Sequence, residues 1–152
     1  MSTVSVLMST YASESDAHLR TSLQSLFEQS VPPDQIVLVL DGPVPAAQEK
    51  VIAEFANDRR VRDFTILRLP KNVGLAAALN AGLSSCAGEW TMRMDSDDVC
   101  LPDRLRLQLA YAMSHPEIDI VSSWSEEFSP GHNSQIKVSP IRHEHIVANP
   151  YR

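Results

Sequence analysis

No apolar stretch in this sequence approaches the roughly 20 residues that a membrane-crossing helix needs, although hydrophobic residues make up 43% of its 152 positions. The expectation is a soluble globular chain with no membrane span. A basic excess is missing too. The net charge is −6, which excludes broad nucleic-acid binding driven by charge and suits a metal or a metal–nucleotide better. Cysteine is scarce: Cys86 and Cys100 have no metal-ligand spacing and read as small core residues of a cytosolic chain. A secretory leader is not expected, because Val4 to Met8 is too short for its apolar segment and no basic segment precedes it. No sequence repeat is present, and the length fits one domain with a sizeable core.

What is there alternates between two periodicities. Val4 to Met8 is a short apolar run, followed by Ser13-Glu14-Ser15-Asp16, polar residues suited to starting a helix. Leu19, Leu23, Leu26 and Phe27 recur at helical spacing before Pro32-Pro33. Ile36 to Leu40 is continuously apolar, as in a central strand covered on both faces, and ends in Asp41-Gly42-Pro43. Pro45 suits a first helical turn, with Val51, Ile52 and Phe55 as its buried stripe. Phe64 to Leu69 reads as a third strand. Asn72-Val73-Gly74 then opens a helix whose inner face is expected at Leu75, Ala78, Leu79 and Leu83. Trp90, Met92 and Met94 alternate with Thr91 and Arg93 as a fourth strand. Strands separated by single helices predict right-handed crossovers and a mostly parallel central sheet in a three-layer α/β/α fold. Pro102 opens a further helix carrying Leu105, Leu109, Ala112 and Met113. A fifth strand is expected over Ile118 to Val121, a short strand over Ile136 to Val138 and a short helix over Arg142 to Ala148.

The fourth strand ends in Asp95-Ser96-Asp97-Asp98, three carboxylates within four residues. They sit at a strand's carboxyl end, where open α/β sheets bind ligands. Their mutual repulsion raises their pKa values unless water or a cation compensates, and a hard divalent ion is the usual solution. A solvated acidic turn capping the next helix is the plainer alternative. Three chemistries compete. Asp95 and Asp97 can hold Mg²⁺ or Mn²⁺ against the two phosphates of a nucleotide, leaving Asp41 for the base or ribose. Asp95-Ser-Asp-Asp-Val99 also matches the short nucleophile motif of haloacid-dehalogenase-like phosphatases, but there the motif follows the first strand, and here three βα units precede it. A calcium-binding EF-hand loop fails outright, since Cys100 and Arg106 stand where Gly and Glu are required.

Four ordered motifs carry a resemblance: Val4 to Tyr11, Ser25 to Ser30, Asn72 to Leu83, and Gly88-Glu-Trp through Asp95-Ser-Asp-Asp98 to Leu101-Pro-Asp-Arg-Leu105. Together they cover nearly the whole chain, which resembles the nucleotide-sugar-binding part of a family 2 inverting glycosyltransferase of the GT-A fold. The resemblance implies a nucleoside-diphosphate sugar, a UDP or dTDP sugar first, bound across the carboxyl ends of the first four strands. Tyr11 is then expected beside the base and Asp41 hydrogen-bonded to it. Asp95 is expected at the ribose or a metal-bound water, and Asp97 on the Mn²⁺ or Mg²⁺. Thr10 and Asn72 are further candidates for the pocket wall. The implied acceptor is a glycan or lipid-linked hydroxyl. The implied location is cytoplasmic, peripheral to the inner face of the membrane in the full enzyme.

Two departures stand out: Leu40 replaces the first of two acids usual after the second strand, and Leu79 replaces an Arg often found in the small-residue helix. The acceptor-deprotonating base lies downstream of the nucleotide half in such enzymes. The expectation is therefore a single nucleotide-sugar-binding domain over 1–152, truncated before the acceptor-binding region, with the base beyond Arg152. Glu126-Glu127 reads as a solvated loop and His143-Glu-His145 as helix decoration. The alternative function is a catalytically incomplete nucleotide-sugar-binding module.

Overall fold

The structure, a computed structural model, describes residues 3–128 and 134–140. The chain divides into two compact units, Met1–Leu109 and Ala110–Arg152. The first alternates β1 (Val4–Thr10), α1 (Asp16–Phe27), β2 (Gln35–Leu40), α2 (Ala46–Ala56), β3 (Asp63–Arg68), α3 (Leu75–Leu83) and β4 (Trp90–Asp95), and α4 (Arg104–Ser114) starts at its end. The four strands form one parallel sheet in the order β3-β2-β1-β4. The chain thus builds outward from β1 through β2 to β3, then returns to place β4 on the other side of β1. That reversal opens a crevice at the strands' carboxyl ends.

Continuous apolar runs put β1 and β2 at the centre: every residue of both strands is buried. Alternate residues face opposite layers. Val6, Met8, Ile36 and Leu38 pack with Leu19, Leu23 and Leu26 of α1 and Val51, Ile52 and Phe55 of α2. Leu7, Val37 and Val39 face Ala78 of α3 on the other side. Phe27 joins α1 to the neighbouring elements, its ring 5.1 Å from that of Phe55 and 6.1 Å from that of Phe64. Ser15 caps α1, accepting the His18 N–H at 3.4 Å. The expected three layers and parallel sheet are present.

The inner face of α3 agrees with the sequence expectation at Ala78 and in part at Leu79, and departs from it at the two outer leucines. Ala78 and Gly82 are its buried residues, whereas Leu75 and Leu83 are each 50% exposed. Close approach explains the departure. A Cβ on Gly82 would fall 2.5 Å from a Val39 methyl and 2.7 Å from a Leu7 methyl, so the helix lies nearer the sheet than a leucine face permits.

In the second unit the strand expected over Ile118 to Val121 does not form. The Ile118 N–H is instead bonded to the His115 carbonyl at 3.1 Å in a turn through Pro116, and Ile120 is 86% exposed. The strands there are β5 (Ser125–Glu127) and β6 (Gln135–Lys137), an antiparallel pair with a Lys137–Glu127 ion pair. Residues 142–148, expected as a helix, lie outside the described residues. Cys100 is buried and Cys86 half-buried, with no disulfide; burial pushes both thiols above their ordinary pKa. Among the described residues no helix is long and apolar enough to cross a membrane.

The tight α3–sheet contact makes a contrast testable by urea unfolding. Gly82→Val should cost about 2–3 kcal/mol through overpacking. Ala77→Val, on the exposed side of the same helix, should cost under about 1 kcal/mol, a matter of helix propensity alone. Equal costs would show that α3 does not approach the sheet through Gly82.

Candidate functional site

Parallel pairing brings the strand ends together. Ser9 is level with Asp95 across the β1–β4 pair, Thr10 with Leu40 across β1–β2, and Leu40 with Arg68 across β2–β3. The segments that leave β1, β2 and β4 therefore begin at one edge. They enclose a cleft of about 510 Å³ whose lining includes Tyr11, Asp41, Asn72, Asp95 and Asp97. Five of the six residues singled out in the sequence meet there. Thr10 does not line it: the residue is fully buried, and its hydroxyl donates to Gln48 Oε1 at 3.5 Å. All seven residues of β1 are covered, so the strand's alternation runs through Thr10 and points it into the protein.

Asp41 has a structural task as well as a place on the cleft. Its carboxylate, 4% exposed, accepts the Val73 N–H at 2.7 Å on Oδ1 and the Gly74 N–H at 2.9 Å on Oδ2. Gly74 is the N-cap of α3 and has no side chain to cap with, so the aspartate at the end of β2 caps that helix from outside. Asn72 completes the join, donating its amide to the Asp41 carbonyl at 3.3 Å. Gly42 makes the approach possible: at φ +89°, it sits where a Cβ would lie 2.7 Å from Asn72 N. Each Asp41 oxygen keeps a further lone pair for a ligand.

The three acids after β4 are in different electrostatic states. Asp95 is gripped by Arg93, whose Nη2 lies 2.7 Å from one carboxylate oxygen and 2.8 Å from the other. Asp97 lines the cleft and has no hydrogen-bond or ion-pair partner among the described residues. The Asp98 carboxyl is pushed above its usual pKa, first by partial burial and then by Asp95 and Asp97, with Arg104 and Arg93 pulling the other way. The mutual repulsion expected from the sequence is thus real at Asp98, though burial is the larger cause. Among the described residues no group of three or more His, Cys, Asp or Glu is arranged to hold a metal. The donor set fits an ion that takes one or two carboxylates and completes its shell from elsewhere, as Mg²⁺ does with phosphate oxygens and water. Asp97 is the available first ligand, and Asp95 joins it only by sharing with or leaving Arg93.

The cleft wall also includes Glu14, Ser96, Ser9, Gly74 and Leu75, none of them picked out as site residues from the sequence. Glu14 reads as part of a helix start. In the structure its side chain is 11% exposed, and its carboxylate accepts the Ser15 N–H at 2.7 Å and the Ser96 hydroxyl at 3.4 Å. Its carbonyl and that of Tyr11 receive the Gln48 amide at 2.7 and 3.0 Å, which pins the β1–α1 loop at the cleft. The usable signal was position, since Glu14 lies in the loop directly after a central strand.

The family model described as Glycosyl transferase family 2 matches residues 5–148. The chain belongs to glycosyl transferase family 2. A curated relative of this family 2 chain is the amylovoran biosynthesis glycosyltransferase AmsE of Erwinia amylovora, 39% identical over 142 residues, covering 93% of this chain and 52% of AmsE. Another is the UDP-Gal:alpha-D-GlcNAc-diphosphoundecaprenol beta-1,3-galactosyltransferase of Escherichia coli, 38% identical over 140 residues, covering 91% of this chain and 50% of the relative. The chain spans about half the length of these relatives. Among solved structures, S. aureus TarS 1-349 in complex with UDP-GlcNAc matches with a TM-score of 0.65 at 24% identity, over 75% of this chain and 32% of that one. The Pyrobaculum calidifontis mannosyltransferase PcManGT, in complex with GDP-Man and Mn²⁺, matches with a TM-score of 0.60 at 24% identity, over 70% and 30%. These two likenesses establish the GT-A fold for the family 2 chain. Family membership also removes the phosphatase reading of Asp95-Ser96-Asp97.

The Asp41 cap makes the first test of this site. Asp41→Asn sets an amide N–H₂ against one of the two backbone N–H groups, leaving a part-buried donor unpaired. We expect a loss of about 1–3 kcal/mol in thermal or urea unfolding. An unchanged midpoint would mean that Asp41 does not hold the start of α3.

Proposed function

We propose that this family 2 chain binds a nucleoside-diphosphate sugar in the strand-end cleft and forms the donor half of an inverting glycosyltransferase that moves the sugar to an acceptor hydroxyl. The observation that carries the reading is the meeting of Tyr11, Asp41, Asn72, Asp95 and Asp97 at one cleft, with Asp97 unpaired. In this reading the exposed Tyr11 ring (45%) lies beside the base, and Asp41 offers its spare lone pairs to the base N–H groups. Asp95 turns from Arg93 toward the ribose. Asp97, with Asp95, holds a divalent cation, Mn²⁺ or Mg²⁺. When bound, that ion supplies Lewis-acid stabilisation of the departing diphosphate.

The protein's own contribution is to orient the donor and present its anomeric carbon to the acceptor. A carboxylate base outside the cleft would take the acceptor proton. We assign that base to no described residue. UDP or dTDP sugars are the favoured donors, because Asp41 can pair with the imide N–H that uracil and thymine share. UDP use also agrees with the E. coli relative's name and with the TarS complex. The acceptor is proposed to be a glycan or lipid-linked hydroxyl on the cytoplasmic side of a membrane, in keeping with the diphosphoundecaprenol in that relative's name. A second reading follows from length. Since the chain spans about half of its curated relatives, it can act as a binding module without turnover.

Calorimetric titration of UDP, dTDP and GDP, each with Mn²⁺ and with excess chelator, tests the proposal on this chain and on Asp97→Ala. The expected outcome is Mn²⁺-dependent binding of UDP or dTDP, weakened about tenfold or more in Asp97→Ala. Binding of none of the three would overturn it. Sugar release onto an acceptor would exclude the binding-module reading, and binding without turnover would support it.

A further inference from the structure

The motif Ser25-Leu-Phe-Glu-Gln-Ser30 at the end of α1 contributes no residue to the cleft lining, yet two of its polar side chains, Ser25 and Gln29, are buried, as is Ser22 one turn earlier. Ser22, Ser25 and Gln29 are 0%, 6% and 6% exposed. Spaced three and four residues apart, they form one column along the helix and its exit. Every member grips the backbone at the end of β4 or just after it. The Ser22 hydroxyl donates to the Asp95 carbonyl at 3.0 Å. Ser25 Oγ accepts the Cys100 N–H at 2.9 Å while donating to the Ser22 carbonyl at 2.7 Å. The Gln29 amide donates to the carbonyls of Leu101 at 2.8 Å, Ser25 at 3.1 Å and Cys100 at 3.4 Å. Its Oε1 accepts the Leu105 N–H at 3.1 Å, occupying a backbone donor in the first turn of α4.

We infer that this column on α1 is a set of positioning residues that fixes the backbone on both sides of Ser96-Asp97-Asp98, and so sets where the cleft carboxylates stand. The inference rests on the proposed function for what those carboxylates hold. The contacts have a selective pattern. They seize the Asp95 carbonyl before the turn and the Cys100 to Leu105 backbone after it, and they leave the carboxylates of Asp97 and Asp98 untouched. A loop clamped at both ends presents its free acids in one place without spending them on the clamp. Metal and diphosphate recognition depends on placement of that kind, since small displacements of supporting groups are costly. An apolar residue at position 29 would fill the same space but leave the Cys100–Leu101 carbonyls and the Leu105 N–H without their partner.

The fold supplies its own control. Gln35 is equally buried, at 6%, and makes a similar set of bonds: Oε1 accepts from Ser5 Oγ at 2.7 Å and Ala87 N–H at 2.9 Å, and Nε2 donates to the Ser85 carbonyl at 3.1 Å. It stands at the opposite end of the sheet, at the start of β2. Gln29→Met and Gln35→Met should therefore lower stability alike while differing at the acidic loop. Two measurements on the whole chain separate them: ligand-free amide hydrogen exchange over 98–105, and UDP affinity with and without Mn²⁺.

The expected result is exchange over 98–105 faster by about tenfold or more in Gln29→Met, with the Mn²⁺-dependent gain in UDP affinity reduced by about tenfold and metal-free UDP binding unchanged. Gln35→Met should alter neither. Ser25→Ala, a milder change, is read in the same way if Gln29→Met does not fold. Equal effects of the two glutamine variants, or faster exchange with an unaltered Mn²⁺ response, would overturn the inference. If the parent chain shows no Mn²⁺-dependent UDP binding, the proposed function falls. Exchange alone then decides whether the column holds the loop: a selective rise in Gln29→Met supports it, and no rise overturns it.

Discussion

Burial of β1 on both faces is the constraint on which the other features depend. A strand with all seven residues covered needs a neighbour on each edge and a layer on each face. With parallel neighbours, those layers have to be crossover helices. The chain meets this by building β2 and β3 on one side of β1 and returning with β4 on the other. The strand order reverses at β1, so the exits of β1, β2 and β4 come together at one end of the sheet. The cleft lies at those exits. Its chemistry is then set by which residues occupy the strand exits, chiefly Tyr11, Asp41 and Asp95 to Asp97.

At those exits the carboxylates are divided between structure and ligand. Asp41 is committed to two backbone amides at the start of α3, which offset part of the cost of burying its charge and supply an acceptor where the helix start has none of its own. Asp95 is neutralised by Arg93. Asp97 alone on the cleft is left without a partner among the described residues. A net-negative chain thus keeps one exposed, unmatched acid where an anionic donor is proposed to bind, and the proposed cation would stand between the two. The ordering of roles follows from the pairing of each acid, not from their number.

Much of this was legible in the sequence, for reasons that show what was not. Ile36 to Leu40 and Trp90 to Met94 announce their strands because burial on one or two faces leaves a periodic trace, and Asp41 and Asp95 to Asp97 were found because they end those strands. Thr10 was misplaced relative to the cleft because nothing in the run Ser9-Thr10-Tyr11 marks where alternation stops and the loop begins. The α3 face is expected at Leu75, Ala78, Leu79 and Leu83; of these Ala78 is buried and, with Gly82, sets the contact, whereas the two outer leucines stay half exposed. Ile118 to Val121 has strand composition, but a turn at Pro116 takes the Ile118 N–H. Glu14 is marked only by its place in the loop after β1, and Gln48 by nothing, because its importance lies in long-range bonds to that loop. The capping role of Asp41 is of the same kind, since its partners lie 32 and 33 residues away.

The central claim is one of location: a divalent cation and a nucleoside diphosphate meet at the exits of β1, β2 and β4. Backbone amide resonances recorded with UDP and substoichiometric Mn²⁺ test it most directly, because paramagnetic broadening reports distance from the ion. Broadening is expected to centre on 95–98, to extend to Tyr11 and 72–74, and to be lost in Asp97→Ala. Broadening centred on Glu126 and Glu127, or scattered over surface acids with the cleft signals unaffected, would contradict it.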